Sequence, residues 1–310
     1  MDIYFDYGFI KTFESHLYNP EYSLRKGMRK LLDVFDDYNG VFVFSNVPVK
    51  QILNHYIFQR LLNNNGVHDG EKVFRARLNA SKASPQILAF FGEKHDESIA
   101  DEVRKKGGLC FTEQNYLDEI ERFLNFEQTV YLKYGDSVKF SWSKLHEYGF
   151  NNETCLLIDK YLLTSEVKVC EHFIPLLKGL FSVEKNNRIT IISASEEHGI
   201  YSGARALVSQ FCKDQNIDEK AVEIITYDSK SQFNFHDRYL FGRYVAIDSG
   251  RGFDNLFKKY AKRTDAKLKI RTVFTKETYD DFKELIPVYQ DYIAWHNLSK
   301  NQNYIIPFKS

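Results

Sequence analysis

The sequence predicts an α/β protein of two domains. Short apolar runs alternate with amphipathic stretches of helical period, as strands and helices do when they take turns along a chain. The chain has 310 residues, more than one hydrophobic core usually serves. Hydrophobic residues make up 43% and aromatic residues 15%, enough to fill two cores.

In the first third, residues 3–10 read as a strand. Residues 24–38 read as a helix, with Leu24, Met28, Leu31, Leu32 and Phe35 at spacings that keep them on one face. Gly40 ends that helix, and Val41, Phe42, Val43 and Phe44 make a buried strand. Pro48 opens a second helix through Leu62, since proline is tolerated in a first helical turn, and the Asn-rich run ending at Gly66 stops it. Residues 87–91 form a strand, 97–106 a charged helix closed by Gly107 and Gly108, 109–111 a strand and 116–124 a helix. This alternation predicts a parallel sheet covered on both faces.

A second α/β layer structure starts near Glu127. Strands are expected at 129–133, 155–158, 188–193, 222–227, 239–240, 244–247 and 267–274. Helices are expected at 165–180, 203–213, 253–262 and 276–289. The domains are therefore 1–126 and 127–310, with no Pro/Gly-rich linker between them.

Composition narrows the function. Lys plus Arg equals Asp plus Glu, 42 each, so any affinity for nucleic acid or membrane must come from a local patch. Cys110, Cys155, Cys170 and Cys212 form no C-x-x-C pair, which argues against a thiolate zinc site. Each lies in apolar sequence and reads as a buried thiol of a reducing compartment. The start, Met1-Asp2-Ile3-Tyr4, lacks the basic and apolar regions of a signal peptide. No stretch approaches the roughly 18 apolar residues of a membrane span. The expectation is a soluble, cytoplasmic protein that needs neither metal nor cofactor.

One segment concentrates groups that handle anions. It runs from Phe233 through His236-Asp237-Arg238 to Ser249-Gly250-Arg251-Gly252-Phe253-Asp254. On a strand, His236 and Arg238 would share a face, placing an imidazole beside a guanidinium. The cation would hold a phosphate while the histidine attacked phosphorus or protonated a leaving group. A hairpin would then return to Gly250 and Gly252, whose backbone lets N–H groups approach an anion, ahead of a helix N-terminus at Phe253. The structural alternative is a core His236, an Arg238 paired with Asp237 or Asp248, and glycines that only form a turn.

The segment resembles a phospholipase D-like domain, most closely the C-terminal domain of proteins that carry a microtubule-interacting and trafficking domain. In that family an H-D-R triplet follows a core strand and a G-R-G-(L/F)-D segment follows the hairpin. Here they are His236-Asp237-Arg238 and Gly250-Arg251-Gly252-Phe253-Asp254. Asp159-Lys160-Tyr161 stands where the family has a D-P-Y triplet, with Lys160 in place of Pro. The resemblance covers roughly residues 130–290. It implies a metal-independent phosphodiesterase with His236 as nucleophile or acid and Arg238 as phosphate clamp. Gly250, Arg251 and Gly252 would bind phosphate, with Asp159, Asp237 and Asp254 in support. A single copy of the motif implies a homodimer that brings two His236 side chains together. Catalytic relatives use H-x-K-x4-D; here Arg238 replaces the Lys and Arg243 the Asp. The rival reading is therefore a non-catalytic scaffold that binds phosphate, nucleic acid or a lipid headgroup in the same pocket. The combination of domains suggests, by analogy of fold, a nuclease-type conflict or defence effector.

Other candidates are weaker. The basic run over residues 258–271 (Lys258, Lys259, Lys262, Arg263, Lys267, Lys269 and Arg271) could extend the anion surface toward nucleic acid or anionic lipid, or be a solvated face. His198 lies in a polar loop after a strand, and His172 on an apolar helix where packing is the simpler role. In the N-terminal domain the first strand carries Asp6, and Thr112-Glu113 comes after a later strand, which resembles a degenerate PIN-type nuclease. Gln51 stands where that family tends to place Glu.

Overall fold

The structure, a computed structural model, describes residues 2–37, 41–45, 55, 68–80, 86–95, 97–132, 142, 145, 154–182, 187–193, 199–226, 238–250, 252–253 and 266–301. The chain divides into two compact units, Met1–Phe126 with Phe274–Lys276, and Glu127–Val273 with Glu277–Ser310. Both are α/β, as the alternation of elements predicts.

The first strand, β1, is Asp2–Asp6, shorter than the apolar run suggests. The Asp6 carboxylate accepts the Gly8 N–H at 2.6 Å and so caps helix α1, Tyr7–Tyr18. The cap outweighs the strand propensity of Phe9 and Ile10, which both turn into the core. Then follow α2 (Pro20–Ser23), α3 (Lys26–Asp37), β2 (Val41–Ser45), β3 (His68–Asp69) and α4 (Glu71–Ala80). β4 (Ile87–Phe91), α5 (Glu97–Lys105), β5 (Leu109–Thr112) and α6 (Tyr116–Phe126) complete the unit. Helix α4 was not expected from the sequence, and nearly all of the helix expected after Pro48 lies outside the described residues.

The sheet order is β3-β2-β1-β4-β5 and every pair is parallel. The alternation of β1 and β4 feeds two cores. On one face Tyr4, Ala89 and Phe91 meet Phe74 and Leu78 of α4 and Ile99, Ala100 and Val103 of α5. On the other, Phe5 stacks on Phe90 with centroids 5.3 Å apart, and Phe9, Phe13 and Phe35 close over them. Such rings account for much of the buried area. Between the ends of β1 and β4, Gly8 and Gly92 touch backbone to backbone. A Cβ on Gly92 would lie 2.8 Å from Gly8 Cα.

One ion-pair cluster staples α3 to α6. Arg25 donates to Asp118 at 2.6 Å and to Glu121 at 2.6 and 3.1 Å, and the Gly27 N–H also reaches Glu121. The Arg25 hydrogen bonds hold the Glu121 carboxyl below its ordinary value of 4.5. A lowered folded-state pKa contributes stability above the ordinary value, and that stability is lost as pH falls through the lowered one. Arg25→Met should therefore cost about 1–2 kcal/mol near neutral pH, little of it in acid, the pair being partly solvated. Urea denaturation of both proteins at pH 7 and pH 3 checks this; an equal gap at both pH values would rule out the ionic origin.

The second unit contains β6 (Gln128–Leu132), β7 (Thr154–Ile158), a short helix α7 (Glu166–Lys168) and α8 (Ile174–Phe181). β8 (Arg188–Ser193), α9 (Ala204–Gln215), β9 (Val222–Thr226), β10 (Tyr239–Phe241), β11 (Val245–Ser249), β12 (Ala266–Thr272) and α10 (Lys276–Asn301) follow. Between α7 and α8 the helix widens to a π turn over Val169–Phe173, which carries the buried His172. The sheet order is β6-β12-β11-β10-β7-β8-β9. β7, β8 and β9 are mutually parallel, and the other four strands pair antiparallel. Helix α10 runs through Pro287 to Asn301, beyond the expected end at 289, and packs Phe282 and Tyr289 on Phe241.

Among the described residues no helix is long and apolar enough to cross a membrane. The cysteines differ from expectation. Cys155 and Cys212 are buried, but Cys110 is only half-buried and Cys170 is exposed, because it lies on the outer side of the π turn.

Candidate functional site

The sheet of the second unit brings four polar residues into one row. Tyr239 of β10 lies opposite Ile158 of β7 and Asp248 of β11, and Ile158 lies opposite Ile192 of β8. The ladder continues one residue further. The Asp159 N–H donates to Ile192 O at 3.1 Å, and the Ser249 N–H to Arg238 O at 2.9 Å. Ser193, Asp159, Arg238 and Ser249 are thus neighbours across four strands. Directly opposed residues share a face, so their side chains issue on the same side.

Asp159 is fully buried and organises the loops. Its Oδ1 accepts the Tyr161 N–H at 2.9 Å, an Asx turn, and its Oδ2 accepts the Phe253 N–H at 2.7 Å. Gly252, at φ +98°, makes the turn that delivers Phe253 to it, and its own N–H donates to Ser249 O at 3.3 Å. The amides of Gly252 and Phe253 are therefore spent on the protein, not presented to an anion as expected. Gly250 is exposed and its carbonyl receives a long 3.4 Å contact from Arg238 Nη1.

Arg238 is half-buried immediately before β10. Its guanidinium carbon lies 5.6 Å from the Tyr161 ring centroid, and the Lys160 and Lys168 ammonium groups lie 5.8 and 5.5 Å from the same ring. Arg238 has no carboxylate partner among the described residues. Asp248 is not one, because it sits opposite Tyr239 and so faces the other side of the sheet. Arg238 Nε, Ser193 Oγ and Ser249 Oγ are buried without a hydrogen-bond partner. Each such atom costs free energy that a bound acceptor would recover. A guanidinium in one row with two unpartnered hydroxyls suits a tetrahedral oxyanion.

His236, Asp237, Arg251 and Asp254 lie outside the described residues, as do Lys258, Lys259, Lys262, Arg263, His198 and Gln51. The described end of the basic run does not join the row. Leu268 stands opposite Ser249, so Lys267, Lys269 and Arg271 alternate onto the opposite face. Arg271 is moreover neutralised by Asp281 at 2.5 Å and Glu277 at 3.5 Å.

In the first unit, Asp6 ends β1 and Glu113 follows β5 at the same end of the parallel sheet. Burial pushes the Asp6 carboxyl up, and the nearby Glu113 charge pushes the same way. Among the described residues no group of three or more His, Cys, Asp or Glu could hold a metal ion.

Sequence reasoning missed Ser193 and Ser249 as members of the row. A serine closing a buried strand, as in Ile191-Ile192-Ser193, was the available signal. What fold and row define is an α/β protein of two units with an anion-suited row across the central strands of its mixed sheet. No protein-family model matches the chain, and no curated protein matches its sequence.

Proposed function

We propose that the second unit binds phosphate esters at the Arg238 row, and that the chain acts on or reads a phosphodiester there. The observation that carries this reading is the Arg238 guanidinium. It is held against Tyr161 in the row next to Ser249, whose hydroxyl has no hydrogen-bond partner, and it has no carboxylate partner among the described residues. Lys160 and Lys168 add positive charge around the same ring. Asp159, the one acid in the row, directs its oxygens to backbone N–H groups and serves as scaffold. The phospholipase D-like form of the proposal adds His236, two residues before Arg238 in sequence, as the group that acts on phosphorus. The binding-only form leaves His236 without a chemical part. Both forms take a nucleic-acid strand or a lipid headgroup as sources of the phosphate, and catalysis further calls for a homodimer.

The test is binding of pyrophosphate and of a short fluorescent oligonucleotide by wild type, Arg238→Ala, Arg238→Lys and Ser249→Ala. Arg238→Ala should weaken both ligands about ten- to a hundredfold, the worth of a charge-assisted pair. Arg238→Lys should recover only part, because a lysine lacks the planar fork. Affinity should fall steeply with salt. Equal binding by wild type and Arg238→Ala would remove the site.

A further inference from the structure

A second site lies in the first unit, beyond the phosphate reading. Thr12 and His16 lie four residues apart on one face of α1. With Tyr22, Arg25, Glu113 and Tyr116 they line a cavity of about 410 Å³. That is within the usual range for small-molecule sites.

One wall is aromatic. The His16 ring stacks on Tyr22 at 3.9 Å and 9° and lies parallel to Tyr116 at 5.9 Å. Its Nδ1 is 2.9 Å from the Tyr116 hydroxyl. Burial pushes the His16 pKa down and the Tyr116 pKa up, so both rings are uncharged at neutral pH.

Glu113 adds an acidic group to the lining of the same cavity. Arg25 brings a cation to the rim, but Asp118 and Glu121 more than neutralise it. Glu113 is half-buried, and its Oε2 accepts the Thr12 hydroxyl at 2.7 Å. It has no lysine or arginine partner among the described residues. Asp6 lies close enough to feel its charge. The field in the cavity is therefore negative, which disfavours phosphate-bearing ligands and favours cations. Neutral rings and a carboxylate with no lysine or arginine partner among the described residues, lining one cavity, are the two halves of a cation site.

We propose that this cavity binds a small organic cation, a guanidinium or ammonium group that pairs with Glu113 and packs against the Tyr22–His16–Tyr116 wall. Guanidinium fits better, because its plane can lie on a ring while two N–H groups meet the carboxylate.

The experiment is calorimetric titration of the full chain with agmatine, which carries both groups, and with putrescine, which carries only ammonium. Agmatine should bind with a Kd of order 0.1–1 mM, and putrescine severalfold more weakly. Glu113→Gln, which keeps an acceptor for Thr12, should weaken agmatine at least tenfold. Tyr22→Leu should weaken it severalfold. Thermal melts confirm that both variants stay folded. No heat with either diamine would overturn the proposal. So would unchanged agmatine binding by Glu113→Gln, or Glu113-dependent binding of Mn²⁺ or of GMP in place of agmatine. Because Arg238 lies in the other unit, Arg238→Ala should bind agmatine like wild type, so this site and the phosphate site stand or fall separately.

Discussion

Under the phosphodiesterase form of the proposal, replacing His236 by alanine is expected to abolish phosphodiester cleavage while leaving pyrophosphate binding within a few-fold of wild type. A nucleophile or proton donor acts on the reacting phosphorus or leaving group and does not hold the anion in the ground state. Its removal costs about three orders of magnitude in rate or more. Arg238→Ala should instead lower affinity and turnover together, since the guanidinium grips the phosphate throughout. Cleavage should survive EDTA, and light scattering should find the active species to be a dimer at micromolar concentration, because the chain carries one copy of the motif. The assay compares single- and double-stranded nucleic acid and a generic phosphodiester. Cleavage that EDTA abolishes and His236→Ala spares would move the chemistry to the first unit. Absence of cleavage, with Arg238-dependent binding intact, would leave the binding form of the proposal.

Gly92→Ala is expected to be the most damaging small change in the first unit. The added Cβ would meet Gly8 Cα at 2.8 Å, Gly8 C at 2.9 Å and Phe9 N at 3.0 Å. All three are backbone atoms where β1 hands over to α1, so no side chain can swing away. Relief requires moving a buried strand end, at a cost of about 2–4 kcal/mol. Gly250→Ala is the control. No atom lies within 4 Å of its Cβ position, so stability should change by no more than about 0.5 kcal/mol. Denaturant titration of both variants tests the contrast. If Gly92→Ala were as stable as Gly250→Ala, the close approach of Gly92 to the first turn of α1 would be disproved.

Much of the fold is legible in the sequence because its strands are apolar runs bounded by turn residues. Ile87 to Phe91 is such a run, and it is buried throughout. Where two signals compete, reading fails. Residues 3–10 are apolar enough for one long strand, yet the single carboxylate of Asp6 caps a helix and bends the chain. Helix α4 escaped because its apolar Val73, Phe74 and Leu78 are few among charged neighbours. α10 was expected to stop at Tyr289, but it runs on to Asn301, and past the expected end the Tyr292 hydroxyl donates to Thr226 O.

The site was legible only in part. Asp159 and Arg238 stand out as types and motifs. Whether Arg238 meets Ser249 or Asp248 depends on which strands pair and in what register. The same holds for the basic run. Lys267, Lys269 and Arg271 look continuous with the anion segment in sequence, and strand alternation turns them to the other side. The amides of Gly252 and Phe253 were expected to cradle an anion, but the first donates to Ser249 O and the second to Asp159, 94 residues before Phe253.

The antiparallel seat of β10 between β7 and β11 makes the position of Arg238 a matter of counting. With only three residues, Tyr239–Phe241, the strand is short, yet it is held on both sides at once. Sliding it by one residue would exchange its two faces, sending Arg238 to the side where Phe241 meets α10 and driving Phe241 toward the serines. Both exchanges are costly, and they reinforce each other. Insertions and deletions around this hairpin should therefore be absorbed in the segments before Arg238 and after Gly250, never between them. Variation in the length of those segments can thus reshape what the row meets while the row stays fixed.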